Sequence, residues 1–113
     1  MFADGRWGSA SPLKYIVAVK QESGDAAEDD NRRRAAVLVS VPKKLFRRAN
    51  RRNLLKRRIR EAYRLNCNEL ERYARQNNLQ ISLGLMYASS EIAEYKEIEN
   101  AVKRVLSAIQ NAG

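Results

Sequence analysis

The run Val41-Pro-Lys-Lys-Leu-Phe-Arg-Arg-Ala-Asn-Arg-Arg-Asn-Leu-Leu-Lys-Arg-Arg-Ile-Arg-Glu-Ala-Tyr-Arg64 limits what this chain can become more than any other stretch. So many cations cannot enter a core or a sheet buried on both sides, because unpaired charge is too costly to desolvate. Wound as a helix at about 100° per residue, the run sorts into two faces. Leu55, Ile59 and Ala62 share one side, with Tyr63 and Leu65 at its margins. Asn53, Lys56, Arg57, Arg60 and Arg64 gather opposite, and Arg51, Arg52 and Arg58 flank the apolar stripe. One side can therefore pack on a sheet while the other carries a cationic ridge. A run of like charge is commonly just a solvated face. Here Glu61 is the only acid between Arg32 and Arg64, against fourteen basic residues. A polyanion lying on the ridge is the better reading.

The rest of the composition agrees. With 22 Lys+Arg and 13 Asp+Glu the chain carries +9. Outside that window, eight basic residues (22 less 14) face twelve acidic ones (13 less 1). The positive charge is thus localised, as a nucleic-acid footprint requires. Histidine is absent and Cys67 is the lone cysteine, which excludes a Ser-His or Cys-His pair, a Cys/His metal cluster and an intrachain disulfide. Cys67 itself reads as a small buried hydrophobe. A thiol-poor chain with neither signal peptide nor spanning run points to the cytoplasm. A membrane-surface role is disfavoured, since the apolar stripe is narrow and has no Trp or Phe in the helix body.

At 113 residues one domain is expected over 1–113. Met1 to Pro12, with Gly5, Gly8, Ser9 and Ser11, reads as irregular. Leu13–Lys20 reads as a strand. Residues 21–34, with Gly24 and five acids, read as a mobile loop. Ala35–Val41 reads as a strand buried on both faces, stopped by Pro42. The basic helix is expected to start between Phe46 and Asn50 and to reach about Leu65, with more helix over Glu69–Arg75. Leu79–Tyr87 alternates strictly, and a closing helix from Glu91, capped by Ser89-Ser90, carries Tyr95, Ile98, Val102, Val105, Leu106 and Ile109. The order β-β-α-(α)-β-α predicts an α+β two-layer sandwich, a small mixed sheet with helices packed on one face.

Val39-Ser-Val-Pro-Lys-Lys44 followed by Arg48-Ala-Asn-Arg-Arg-Asn-Leu-Leu-Lys-Arg-Arg-Ile-Arg-Glu61 resembles the signature of the bacterial ribonuclease P protein subunit. That family has a strand end of S-x-K-K type leading into a helix reading R-A-V-x-R-N-R-x-K-R-x-x-R-E. Arg48, Ala49, Arg52, Asn53, Lys56, Arg57, Arg60 and Glu61 match; Asn50 stands for Val, and Leu54 replaces the usual third basic member. The resemblance covers most of the chain. It implies a ribosomal protein S5 domain 2-like fold with a left-handed β-α-β crossover, against the usual hand. It also implies an endoribonuclease that trims the 5′ leader of precursor tRNA, whose chemistry belongs to the catalytic RNA subunit and its Mg2+, with the protein monomeric. No catalytic residue is expected in the protein and no metal is expected to be bound by it alone. Lys43, Lys44, Arg48, Arg51, Arg52, Asn53, Lys56, Arg57, Arg60 and Arg64 are the expected RNA-docking set. The sheet face away from the basic helix is the expected leader surface. Tyr15, Phe46, Tyr87 and Trp7 are its candidate stacking residues, the first three being equally eligible for the core. The family normally opens with a helix, and Met1–Trp7 resembles only its tail, so a weakened leader site is expected.

Three other classes fit less well. A general RNA-binding or ribosome-associated protein would share the charge but has no need of this spacing. A DNA-reading helix lacks the preceding helix of a helix-turn-helix. A protein-only hydrolase lacks its acid-base set.

Overall fold

Leu79–Tyr87 forms a strand over its whole alternating length, and its parity organises the molecule. Ile81, Leu83, Leu85 and Tyr87 are buried; Gln80, Ser82, Gly84 and Met86 face the other way. The computed structural model describes residues 6–21 and 35–111. Within them the order is β1 (Arg6–Ala10), β2 (Leu13–Gln21), β3 (Ala35–Ser40), α1 (Ala49–Asn66), α2 (Asn68–Gln76), β4 (Leu79–Tyr87) and α3 (Tyr95–Asn111). The sheet runs β1-β2-β4-β3, antiparallel except for the parallel β3–β4 pair, which α1 and α2 connect.

All three helices lie on one side of the sheet. The register aligns Leu13 with Tyr87, and Val17 with Leu83 and Val37. These face Leu55 and Ile59 of α1, Leu70 and Ala74 of α2, and Ile98, Val102 and Val105 of α3 in one continuous core. Each fully buried aliphatic side chain contributes on the order of 1.5–3 kcal/mol. Side-chain bonds tie the layers: the Ala35 N–H donates to Glu71 Oε2 (3.1 Å) and Arg104 Nη2 to the Ser11 carbonyl (2.9 Å). α1 and α2 break at Cys67, and α2 ends at Gln76, two residues before Asn78, whose φ of 54° suits a residue type that tolerates left-handed backbone.

Three expectations are corrected. Arg6–Ala10 is a strand, not irregular: a two-residue turn at Ser11-Pro12 folds it back on β2. Gly8 permits this, because a Cβ there would come within 2.4 Å of the Tyr15 ring. β3 is buried on one side only; Ala35 and Val39 are inside, while Ala36, Leu38 and Ser40 are exposed because none of the described helices covers that side. The last helix begins at Tyr95 rather than Glu91. The Glu91 N–H does find Ser89 Oγ (3.2 Å), but residues 91–93 then wrap around the Tyr87 hydroxyl, which donates to the Glu91 carbonyl and accepts from the Ala93 N–H (2.9 Å). That competing partner keeps the segment out of helical geometry. The expected loop over 21–34 lies, beyond Gln21, outside the described residues.

Candidate nucleic-acid interface

α1 holds its apolar stripe inward: Leu55, Ile59, Ala62 and Tyr63 are buried. Helical geometry then obliges the residues opposite to face solvent. Asn53, Arg57, Arg60 and Arg64 are all exposed along one side, with Lys56 half-buried beside them. Arg48 and Arg51 extend the exposed ridge around the first turn, and Lys43, Lys44 and Arg47 are exposed on the loop from β3. Leu54, in place of a basic residue, is half-buried.

The first turn of α1 concentrates positive potential. It has no acidic residue, and its N-cap, Arg48, makes no side-chain capping bond. The helix dipole adds positive character at that end, so the local arginines are destabilised until an anion approaches. At the other end Arg64 is partly neutralised. Its Nε and Nη2 donate to Glu61 at 3.1 and 2.8 Å. That hydrogen bond holds the Glu61 carboxyl below the usual range and raises Arg64 further.

Two arginines of the helix turn away from the ridge. Arg52 is half-buried, and its Nη1 donates to the carbonyls of Phe46 (2.7 Å) and Arg47 (2.9 Å). Arg58 is half-buried as well, its Nη1 donating to the Ala93 carbonyl at 2.6 Å. Sequence spacing marks both as flanking positions and carries no sign of these partners.

The second surface is the uncovered side of the sheet. Register brings Trp7, Ile16, Gly84 and Leu38 into one row across four strands, with Lys14, Met86 and Ser40 in the next. Trp7 is 68% and Leu38 65% exposed, and with Ile16 and Met86 they line a shallow depression of ≈ 160 Å³ over Gly84. Of the four aromatic candidates, only Trp7 presents its ring here. Phe46 and Tyr87 are corrected to core residues, at 6% and 0% exposure, packed on each other beneath the helices. Tyr15 borders the depression but has the parity of Leu13 and Val17, and its ring packs over Gly8 against the core. Sequence reasoning does not single out Lys14, Ile16 or Leu38; the parity of β2 is the signal that could have found the first two.

Among the described residues no group of three acidic, Cys or His side chains could hold a metal ion, and no helix is long and apolar enough to cross a membrane.

The profile of the family described as Ribonuclease P matches residues 6–110. The "Ribonuclease P protein component" of Porphyromonas gingivalis, in each of two strains, is 32% identical over 106 residues, covering 94% of this chain and 72% of the relative. The solved Staphylococcus aureus RNase P protein superposes with a TM-score of 0.61 over 93% of this chain and 81% of that one, at 20% identity; it shares the fold.

Proposed function

The chain belongs to the ribonuclease P protein family, and from that premise we propose that it is the protein subunit of a cytoplasmic ribonucleoprotein endoribonuclease that removes the 5′ leader of precursor tRNA. The observation that carries the reading is the alignment of Asn53, Arg57 and Arg60, all exposed, on the outer side of a helix whose inner side is sealed in the core. A rigid cationic ridge of this kind suits a folded RNA. Its ammonium and guanidinium groups displace condensed counterions from closely spaced phosphates, and the guanidinium fork can hold a phosphate through two N–H donors.

The division of labour follows from what the side chains can do. The Lys, Arg and Asn side chains of the ridge are suited to binding phosphate rather than to transferring protons, so the hydrolytic chemistry is assigned to the RNA subunit, where bound Mg2+ would supply it. Asn53, Lys56, Arg57, Arg60 and Arg64, with Arg48, Arg51, Lys43 and Lys44, dock that RNA. The open sheet face receives unpaired leader nucleotides, Trp7 offering a stacking plane and Lys14 a phosphate partner. Bringing two RNAs together raises electrostatic repulsion, and the protein's cations lower the Mg2+ concentration at which assembly is favourable.

The test is reconstitution of the chain with a bacterial ribonuclease P RNA at low Mg2+ and precursor tRNA. Cleavage at the mature 5′ end is expected. Restoration of cleavage to the same degree by an unrelated basic protein would contradict the specific reading.

A further inference from the structure

Arg52 flanks the cationic ridge and belongs to the RNA-docking set expected from the sequence, yet its guanidinium is directed at the protein. We propose that Arg52 is a positioning residue, which holds the Lys43–Arg48 loop in place so that the loop's cations and the first turn of α1 meet the same stretch of RNA. The proposal rests on the reading of α1 as the RNA surface and deepens it.

The geometry has three parts. Counting from the N-cap Arg48, Arg52 is the fourth helical residue and Arg47 the one before the cap. In many helices an apolar pair at these two positions fixes the angle at which the chain enters. Here both are arginines, and the apolar pairing is replaced by Arg52 Nη1 donating to the carbonyls of Arg47 and Phe46. The loop is also anchored from below, since the Phe46 ring is buried against Tyr87. Its remaining turn is closed by the Leu45 N–H on the Pro42 carbonyl at 3.1 Å. Lys43, Lys44 and Arg47 are thereby left exposed on a fixed backbone, next to an uncapped helix N-terminus. Long cationic side chains lose much entropy on binding, and a pre-ordered backbone lessens what must be ordered at that moment. Arg58 provides the contrast. It makes an equally short bond to the Ala93 carbonyl, but that loop carries Glu91 and Glu94 instead of cations.

The experiment is a double-mutant cycle read by binding to a bacterial ribonuclease P RNA over a salt series. Arg52→Ala should weaken binding by about tenfold or more, the scale of one charge-assisted hydrogen bond. Lys43→Ala with Lys44→Ala should weaken it in the wild-type background and add little in the Arg52→Ala background, because the loop is already unmoored. Arg52→Lys keeps the charge, but its shorter side chain and freely rotating ammonium do not place two coplanar N–H donors where Nη1 makes both bonds; its binding should fall nearly as far as that of Arg52→Ala. Amide exchange at Leu45 should quicken in both Arg52 variants. Arg58→Ala should lower the melting temperature while leaving the salt slope unchanged. Additive losses around the cycle, or full binding by Arg52→Lys, would make Arg52 a direct phosphate ligand and overturn the proposal. Unchanged binding when Lys43 and Lys44 alone are replaced would also overturn the proposal, whereas failure of the underlying reading of α1 shows separately, as an unchanged salt slope when Arg57 and Arg60 are replaced.

Discussion

The rings of Phe46 and Tyr87 meet with centroids 5.8 Å apart, tilted at 54°, and this packing joins the β3–α1 loop to the end of β4 inside the core. Both rings are therefore inaccessible to nucleic acid. Phe46→Ala should destabilise the fold by about 3–5 kcal/mol, the usual cost of emptying a buried aromatic site. Phe46→Leu should retain most stability and, in thermal melts followed by binding at a temperature where it is folded, undiminished affinity for precursor tRNA. A loss of leader binding by a folded Phe46→Leu protein would return Phe46 to the interface.

Burial raises the Tyr87 phenol above its ordinary value of 10.0. The sign follows from which form folding favours. A group whose folded value is raised holds its full contribution below the unfolded value and gives it up as pH climbs through the folded one. The protein should thus lose stability above about pH 10, where the unfolded chain ionises first. Tyr87→Phe should be less stable near neutrality, since the Ala93 N–H and Glu91 carbonyl lose their shared partner, and should show a shallower alkaline decline. Chemical denaturation across pH 8 to 11, on the order of the phenol range, measures both effects.

Trp7 is the chain's only tryptophan and is 68% exposed. Its emission should report directly on the open sheet face. A single-stranded leader should quench it, and Trp7→Ala should weaken binding of leader-bearing precursor by roughly 1–3 kcal/mol, the scale of one base stacked on an aromatic ring. Mature tRNA should be unaffected. Equal losses for both RNAs would remove the leader from this face.

How much of the molecule is legible in its sequence depends on periodicity. β4 is readable end to end because its alternation is strict, and α1 because apolar residues recur at helical spacing through a field of arginine. β3 reads wrongly as doubly buried because an unbroken apolar run is the same whether one side or two are covered; only the placement of the helices decides it, and Leu38 stays outside. Tyr15 is placeable in principle, since it shares parity with Leu13 and Val17. Phe46 lies in a loop, where no period applies. Tyr87 has the parity of Leu85, a signal easily outweighed by the attraction of an aromatic ring beside a basic surface. For Arg52 nothing in residue type or spacing distinguishes a guanidinium turned to a carbonyl from one turned to a phosphate.

The most direct test of the central claim is the salt dependence of binding between the full chain and a bacterial ribonuclease P RNA, compared with Arg57→Ala/Arg60→Ala. Arg57 and Arg60 are both exposed and away from the core, so the melting temperature should hold within the scatter of surface substitutions. The expected result is weaker binding with a log-log slope shallower by about two units, roughly one for each phosphate no longer neutralised. An unchanged slope in a folded double variant would contradict the assignment of the outer face of α1 as the surface that grips RNA.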